Sequence, residues 1–194
     1  MKVTKAQAQA NRAHIVETAA ALFRERGYDG VGIADLMAVA GFTHGGFYKH
    51  FGSKADLLVE AATCGFAQSA AKSEGIDAVG VVEQYLSREH RDGRGEGCTM
   101  AALCGDAARQ PESIKRAFAT GVESLLSNLK NQCGAPEEGE RAGEMRAQRI
   151  DVLAQVIGAI VLSRACPDDS PLADEILDVC RAAVLSRLSA PVDA

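Results

Sequence analysis

Apolar residues recur along most of this chain at helical spacing, three and four positions apart, and no run alternates apolar with polar residues for a useful length. The pattern predicts an all-α protein. Ile15, Ala19, Leu22 and Phe23 stand at i, i+4, i+7 and i+8, one face of a helix over about Gln7–Arg26 that Gly27 terminates. After Gly27-Tyr28-Asp29-Gly30, the residues Ile33, Leu36, Met37 and Ala40 repeat the stripe in a short helix that stops at Gly41. Thr43 is placed to cap a third helix, with Phe47 and Phe51 one turn apart facing inward. Ser53 caps a fourth, with Asp56 three residues on as a shortened capping box, running through Leu57, Leu58, Ala61 and Ala62 towards Lys72. Further helices are expected near Ile76–His90, Thr99–Arg109, Glu112–Gln132, Glu138–Arg164 and Leu172–Leu188. The five prolines, Pro111, Pro136, Pro167, Pro171 and Pro191, all fall in the second half, near breaks in the pattern.

Composition narrows the function. The chain has 194 residues, 47% of them hydrophobic, enough for a real core, and its net charge of -5 excludes a wholly basic protein that coats nucleic acid. The charge is unevenly spread: residues 1–60 carry seven Lys/Arg against six Asp/Glu, the remainder fourteen against twenty. Any DNA contact is therefore expected in the N-terminal part. The longest apolar stretches, such as Val156–Leu162, fall far short of the roughly 20 residues that span a bilayer, and no secretion signal is seen, so no membrane association and a cytoplasmic location are expected. There the six cysteines would be reduced, and none shows C-x-x-C or other zinc spacing. No metal and no cofactor are expected. Neither G-x-S-x-G nor H-E-x-x-H occurs, and Asp106, Arg109 and His90 lack the spacing of a recognisable catalytic set, so no catalytic residue is assigned and no enzyme is expected. Gly93–Gly97 lacks the Lys-Ser/Thr of a phosphate loop and reads as a flexible connector.

Two short helices joined by a tight turn at Gly41 make a helix-turn-helix, whose second member lies in the major groove. Burial of Leu36, Met37, Phe47 and Phe51 leaves Thr43, His44, Gly45, Tyr48, Lys49 and His50 facing outward. The stretch Gly32-Ile33-Ala34-Asp35-Leu36-Met37-Ala38-Val39-Ala40-Gly41-Phe42-Thr43-His44-Gly45-Gly46-Phe47-Tyr48-Lys49-His50-Phe51-Gly52-Ser53-Lys54-Ala55-Asp56-Leu57 resembles the DNA-binding segment of the TetR family of transcriptional regulators. The resemblance covers about residues 11 to 62, including the preceding Ala20-Leu22-Phe23-Gly27-Tyr28 pattern. It implies that Thr43, His44 and Gly45 open the recognition helix against base edges and phosphate. Tyr48 and His50 would hydrogen-bond phosphate oxygens, and Lys54 would add a phosphate contact at a helix N-terminus. Lys49 joins them as an outward cation, and Lys2, Lys5 and Arg12 are placed to follow the DNA backbone. Two departures stand out: the family usually has Lys or Arg where this chain has His44, and often Thr or Ser where it has Gly32.

The expected organisation is a three-helix DNA-binding head over residues 1–62 and a helical ligand-binding and dimerisation bundle over 63–194. Stripes at Val152, Val156, Ile160 and at Ile176, Cys180, Ala183, Val184 suggest a four-helix homodimer interface, with Gly158 and Ala159 allowing close approach. A cavity for a small-molecule effector of unknown identity is expected, with Phe66, Tyr85, Met100, Leu103, Phe118 and Val122 as its lining. Cys98 opens the helix Thr99–Arg109 and is expected near Arg91 and Arg94, a setting that favours a thiolate; a structural, half-buried thiol is the first reading and a redox sensor the second. Cys166 and Cys180 are left as a pair that can meet across a loop or the dimer interface. The resulting expectation is a repressor that binds a near-palindromic double-stranded operator as a homodimer. A small molecule, or thiol oxidation at Cys98, would release it. The alternative is a helical small-molecule carrier or enzyme that keeps the head unused.

Overall fold

The computed structural model describes residues 4–133 and 140–189; Lys2, the Cys133 thiol, Pro136 and Pro191 lie outside the described part. Among the described residues there is no strand. The helices are α1 (Lys5–Arg26), α2 (Ile33–Val39), a 3₁₀ turn (His44–Lys49), α3 (Lys54–Lys72), α4 (Ala78–Tyr85), α5 (Arg88–Asp92), a second 3₁₀ turn (Arg94–Glu96), α6 (Thr99–Ala107), α7 (Glu112–Cys133), α8 (Glu140–Ala165) and α9 (Pro171–Ser189). No described helix is long and apolar enough to cross a membrane.

Two compact units emerge. One runs through Ser69 and takes in Gly95–Gly121; the other joins Ala70–Arg94 to the residues from Val122 onward. In the first, Thr4 caps α1 by accepting from the Gln7 N–H at 3.1 Å, which starts the helix two residues earlier than the apolar stripe indicates. Gly27 ends it at φ 75°, a left-handed conformation that glycine adopts freely. Ile15, Ala19, Phe23, Leu36, Met37, Phe47, Phe51 and Leu57 close the core of the head, and Phe66 meets Phe118 edge to face at 5.3 Å. A Cβ on Gly121 would lie 2.4 Å from the Phe66 ring, so glycine here is what lets the first part of α7 approach. Buried Arg24 joins α1 to the α6 end of this unit: Nε donates to the Gly95 carbonyl at 2.7 Å and Nη2 to Gln68 Oε1 at 3.2 Å. The Gly-rich connector is thus held at Gly95 rather than left unattached.

In the second unit the expected helix Ile76–His90 is broken. Leu86 is fully buried with ψ 44°, and the Ser87 side chain accepts from the His90 N–H at 3.1 Å, starting α5 with a new cap. Arg91, 1% exposed, is surrounded by acceptors: Ser163 Oγ at 3.0 Å from Nε, Asp168 Oδ1 at 2.9 Å from Nη1 and the Cys166 carbonyl at 3.1 Å from Nη2. It therefore serves α5 and the α8–α9 connection within its own unit, and Arg94 is exposed. Along α8 and α9, Val156, Ile160 and Val184 are buried within the chain, so part of the expected dimer stripe is core. The apolar side chains left exposed on these helices are Ile150, Val161, Leu162, Leu172 and Val179.

Candidate nucleic-acid interface

The interface is built on α2 and the 3₁₀ turn that follows it. Gly41, at φ 79°, lets the Phe42 N–H reach the Met37 carbonyl at 2.8 Å while its own N–H reaches Ala38 at 3.1 Å, a Schellman ending that reverses the chain. Thr43 then adopts the extended conformation of a capping residue, but its side chain caps nothing. The hydroxyl stays at the exposed mouth of the turn. The expected third helix is a 3₁₀ segment of six residues, His44–Lys49. Only Phe47 is buried in it, with Phe51 beyond it 5.3 Å ring to ring, so two aromatic anchors fix the turn and its other face is open.

On that open face lie Thr43, His44, Gly45, Tyr48 and Lys49, all exposed. Tyr48 is 63% exposed although its ring meets Phe47 edge-on at 5.2 Å, so the body is steadied while the hydroxyl projects outward. The His44 ring is 6.2 Å from Tyr48. Lys49 makes no ion pair among the described residues. His50 is half-buried at the end of the turn, and its carbonyl accepts from Arg12 Nε at 3.3 Å.

Two cations read from the sequence as DNA-facing are occupied within the head. Arg12 binds Glu60 through both Nη nitrogens, Nη2 being 2.6 Å from Oε1, and stacks over Phe51 at 4.6 Å. The hydrogen bond to Glu60 raises its pKa above the ordinary guanidinium value. It braces α1 against α3 and the end of the turn. Lys54 Nζ donates to the Tyr28 carbonyl at 2.6 Å, while Ser53 caps α3 as expected, Oγ accepting from the Asp56 N–H at 3.2 Å. The Tyr28 N–H in turn donates to Asp106 of α6 at 2.9 Å, so the backbone of one residue, through its N–H and its carbonyl, links α6 to the start of α3. Sequence spacing cannot show this, because Asp106 is 78 residues from Tyr28. Gly32, exposed at the start of α2, leaves that helix without a side-chain cap.

The expected effector lining is divided. Phe66, Met100, Leu103 and Phe118 belong to the core of the first unit, and Val122 is half-buried in the second. Tyr85 alone lines an apolar cleft of about 80 Å³ in the second unit, together with Val82, Leu125, Leu129, Val152 and Val156. Leu125, Leu129 and Val152 carry the helical spacing that would have pointed there. Cys98 is 6% exposed and is the residue that precedes α6. Arg24 interacts electrostatically with both Cys98 and Cys64. Burial raises the Cys64 thiol pKa. Cys64, Cys98, Cys104, Cys166 and Cys180 are all free thiols. Among the described residues no cluster of His, Cys, Asp and Glu is arranged to hold a metal.

Residues 15–61 match the model of the family described as bacterial regulatory proteins, tetR family. Over 193 residues, 89% of each chain, the protein is 25% identical to the HTH-type transcriptional regulator TtgR of Pseudomonas putida. It is 44% identical to the probable HTH-type transcriptional regulator ArpR of the same species over 55 residues, 28% of this chain and 26% of that one. In fold it resembles the reduced form of NemR from Escherichia coli, with TM-score 0.73 and 20% identity over 91% of this chain and 96% of that one. A regulator from Agrobacterium tumefaciens is similar, with TM-score 0.71 and 21% identity over 94% and 100%.

Proposed function

We propose that this chain is a DNA-binding transcriptional regulator of the TetR family, a homodimeric repressor released from its operator by a small molecule. The observation that carries the reading is the open face of the 3₁₀ turn, where Thr43, His44, Gly45, Tyr48 and Lys49 are exposed around a buried Phe47 anchor. Thr43, His44 and Gly45 meet base edges. Tyr48, Lys49 and His50 meet phosphate, and Lys54 adds a further phosphate contact with the donors that the Tyr28 carbonyl leaves over. Residues 1–62 form the DNA-binding part and 63–194 the effector and dimer part. Two copies of the head, about 34–36 Å apart, enter successive major grooves of a near-palindromic site, and an effector that favours another spacing releases it.

The test is a fluorescence-anisotropy titration against the DNA flanking the protein's own gene. Saturable binding tighter than to scrambled DNA is expected, and Tyr48→Phe is expected to weaken it about ten- to hundredfold, the loss of one hydrogen bond in each half of the dimer, with an unchanged melting curve. Equal affinity for scrambled DNA overturns the reading. A second reading, release by oxidation at Cys98, is supported by its place at the start of α6 and by the Arg24 charge. Repeating the titration after peroxide treatment tests it: unchanged affinity removes it.

A further inference from the structure

The apolar cleft of the second unit is walled by α4, α7 and α8, and none of its lining residues is charged. Its polar edge is Ser73 and Asn128, which are also shared with a wider neighbouring groove of about 670 Å³. Ser73 Oγ donates to the Ala70 carbonyl at 3.0 Å. The half-buried Asn128 carboxamide has no hydrogen-bond partner among the described residues. A carboxamide both donates and accepts, so here an amphoteric group sits at the rim of an otherwise apolar wall. Just outside it, the groove carries Glu74 and Asp77.

We propose that this cleft binds a small uncharged amphiphile of the phenol or short-chain alcohol class, with its apolar body between α4, α7 and α8 and its hydroxyl on the Asn128 carboxamide. The inference rests on the effector-controlled reading above and adds the ligand class. A charged body is disfavoured because none of the lining residues offers it a counter-charge. A carboxylate is disfavoured again because its charged end would emerge beside Glu74 and Asp77. Size sets the other limit. A dry engineered cavity of roughly 150 Å³ takes up benzene; this cleft is about 80 Å³ and open on one side, so it admits one ring edge or a short chain, with the remainder in the groove.

The experiment is calorimetric titration of the full-length protein with phenol, cyclohexanol, toluene and benzoate, each repeated with Asn128→Leu and Val152→Phe. Phenol and cyclohexanol are expected to bind, with benzoate at least about tenfold weaker. Asn128→Leu is expected to weaken phenol about tenfold and leave toluene unchanged, a split that general damage to the fold does not produce. Val152→Phe fills the cleft and is expected to abolish binding of all the probes. Benzoate binding as tightly as phenol, phenol binding insensitive to both substitutions, or no binding of any probe overturns the proposal. The same preparations are titrated with operator DNA without probe. Operator binding that persists while the probes fail overturns the ligand class alone, whereas loss of specific DNA binding in the unsubstituted protein overturns the repressor reading. Release of DNA by phenol then reports on effector control separately from occupancy of the cleft.

Discussion

At Lys54 a single ammonium group is bound at 2.6 Å to the Tyr28 carbonyl while it stands at the start of α3, where a phosphate would also be welcome. Three donors on one head allow both. Arg12 differs, because two of its nitrogens are on Glu60 and its Nε is on His50, which leaves it a brace rather than a phosphate ligand. His90 is a buried titratable group of the second unit. Burial, the largest cause, and the charges of Arg164 and Lys72 lower its pKa, against the bond to the Tyr85 carbonyl, which favours the proton. A lowered folded value means that the neutral form is the stabilised one. Its contribution is complete above the unfolded value of about 6.5 and is lost as the pH falls through the folded value. Urea midpoints measured between about pH 7.5 and pH 5 are expected to fall on the acid side, and His90→Gln, which keeps a donor for Tyr85, is expected to flatten that limb. An unchanged acid limb in the variant removes His90 as the cause.

At the scale of elements, the sequence reading succeeds where one stripe meets one core. The α2 stripe, Gly41 and the Phe47/Phe51 pair are local, and the structure has them as expected. It falls short where a cap competes with a stripe. Ser87 divides the expected Ile76–His90 helix because its side chain takes the His90 N–H, and Ser87 with Glu89 in the first turn was the signal available. Along α8 and α9 the stripe does not say which of two partners will bury it. Val156, Ile160 and Val184 are covered within the chain, whereas Val161, Leu162, Leu172 and Val179 are exposed, and under the proposed homodimer these four are the apolar residues offered to a second copy. Leu162→Glu combined with Val179→Glu is expected to convert the dimer to a monomer in light scattering at micromolar protein, each change costing about 2 kcal/mol, roughly thirtyfold, if it falls at a central contact. A dimer that survives both places the interface elsewhere.

For the whole molecule, a chain of net charge -5 must bind DNA through local contacts, so the ionic part of the affinity should be traceable to a few residues. The slope of log affinity against log salt counts them. Because Lys49 occurs twice in a dimer, Lys49→Ala is expected to reduce the slope by about 2, whereas Tyr48→Phe, which removes no charge, leaves the slope unchanged while lowering affinity. Equal slopes in Lys49→Ala and the parent protein take Lys49 out of the interface. The division into units bears on how such contacts are positioned. Arg24 on Gly95, ahead of α6, and Tyr28 on Asp106 of α6 join this segment to the head within one compact unit, so a boundary at residue 62 separates segments of sequence that pack together.

By itself, the sequence determined the all-helical architecture, the helix-turn-helix and its outward residues, because those depend on apolar period, glycine conformations and aromatic anchors within about fifty residues of one another. Family likeness in the same stretch carried the reading on to DNA. Only the tertiary structure decided that Arg12 and Arg91 are internal braces, that Arg24 interacts electrostatically with Cys98, and that the apolar cleft lies among α4, α7 and α8 instead of around Phe66 and Phe118. Each of those outcomes is a competition for partners between segments far apart in the chain. Periodicity shows that a face will be buried or a guanidinium bonded, but the partner is chosen by packing, and packing distance has no trace in local spacing.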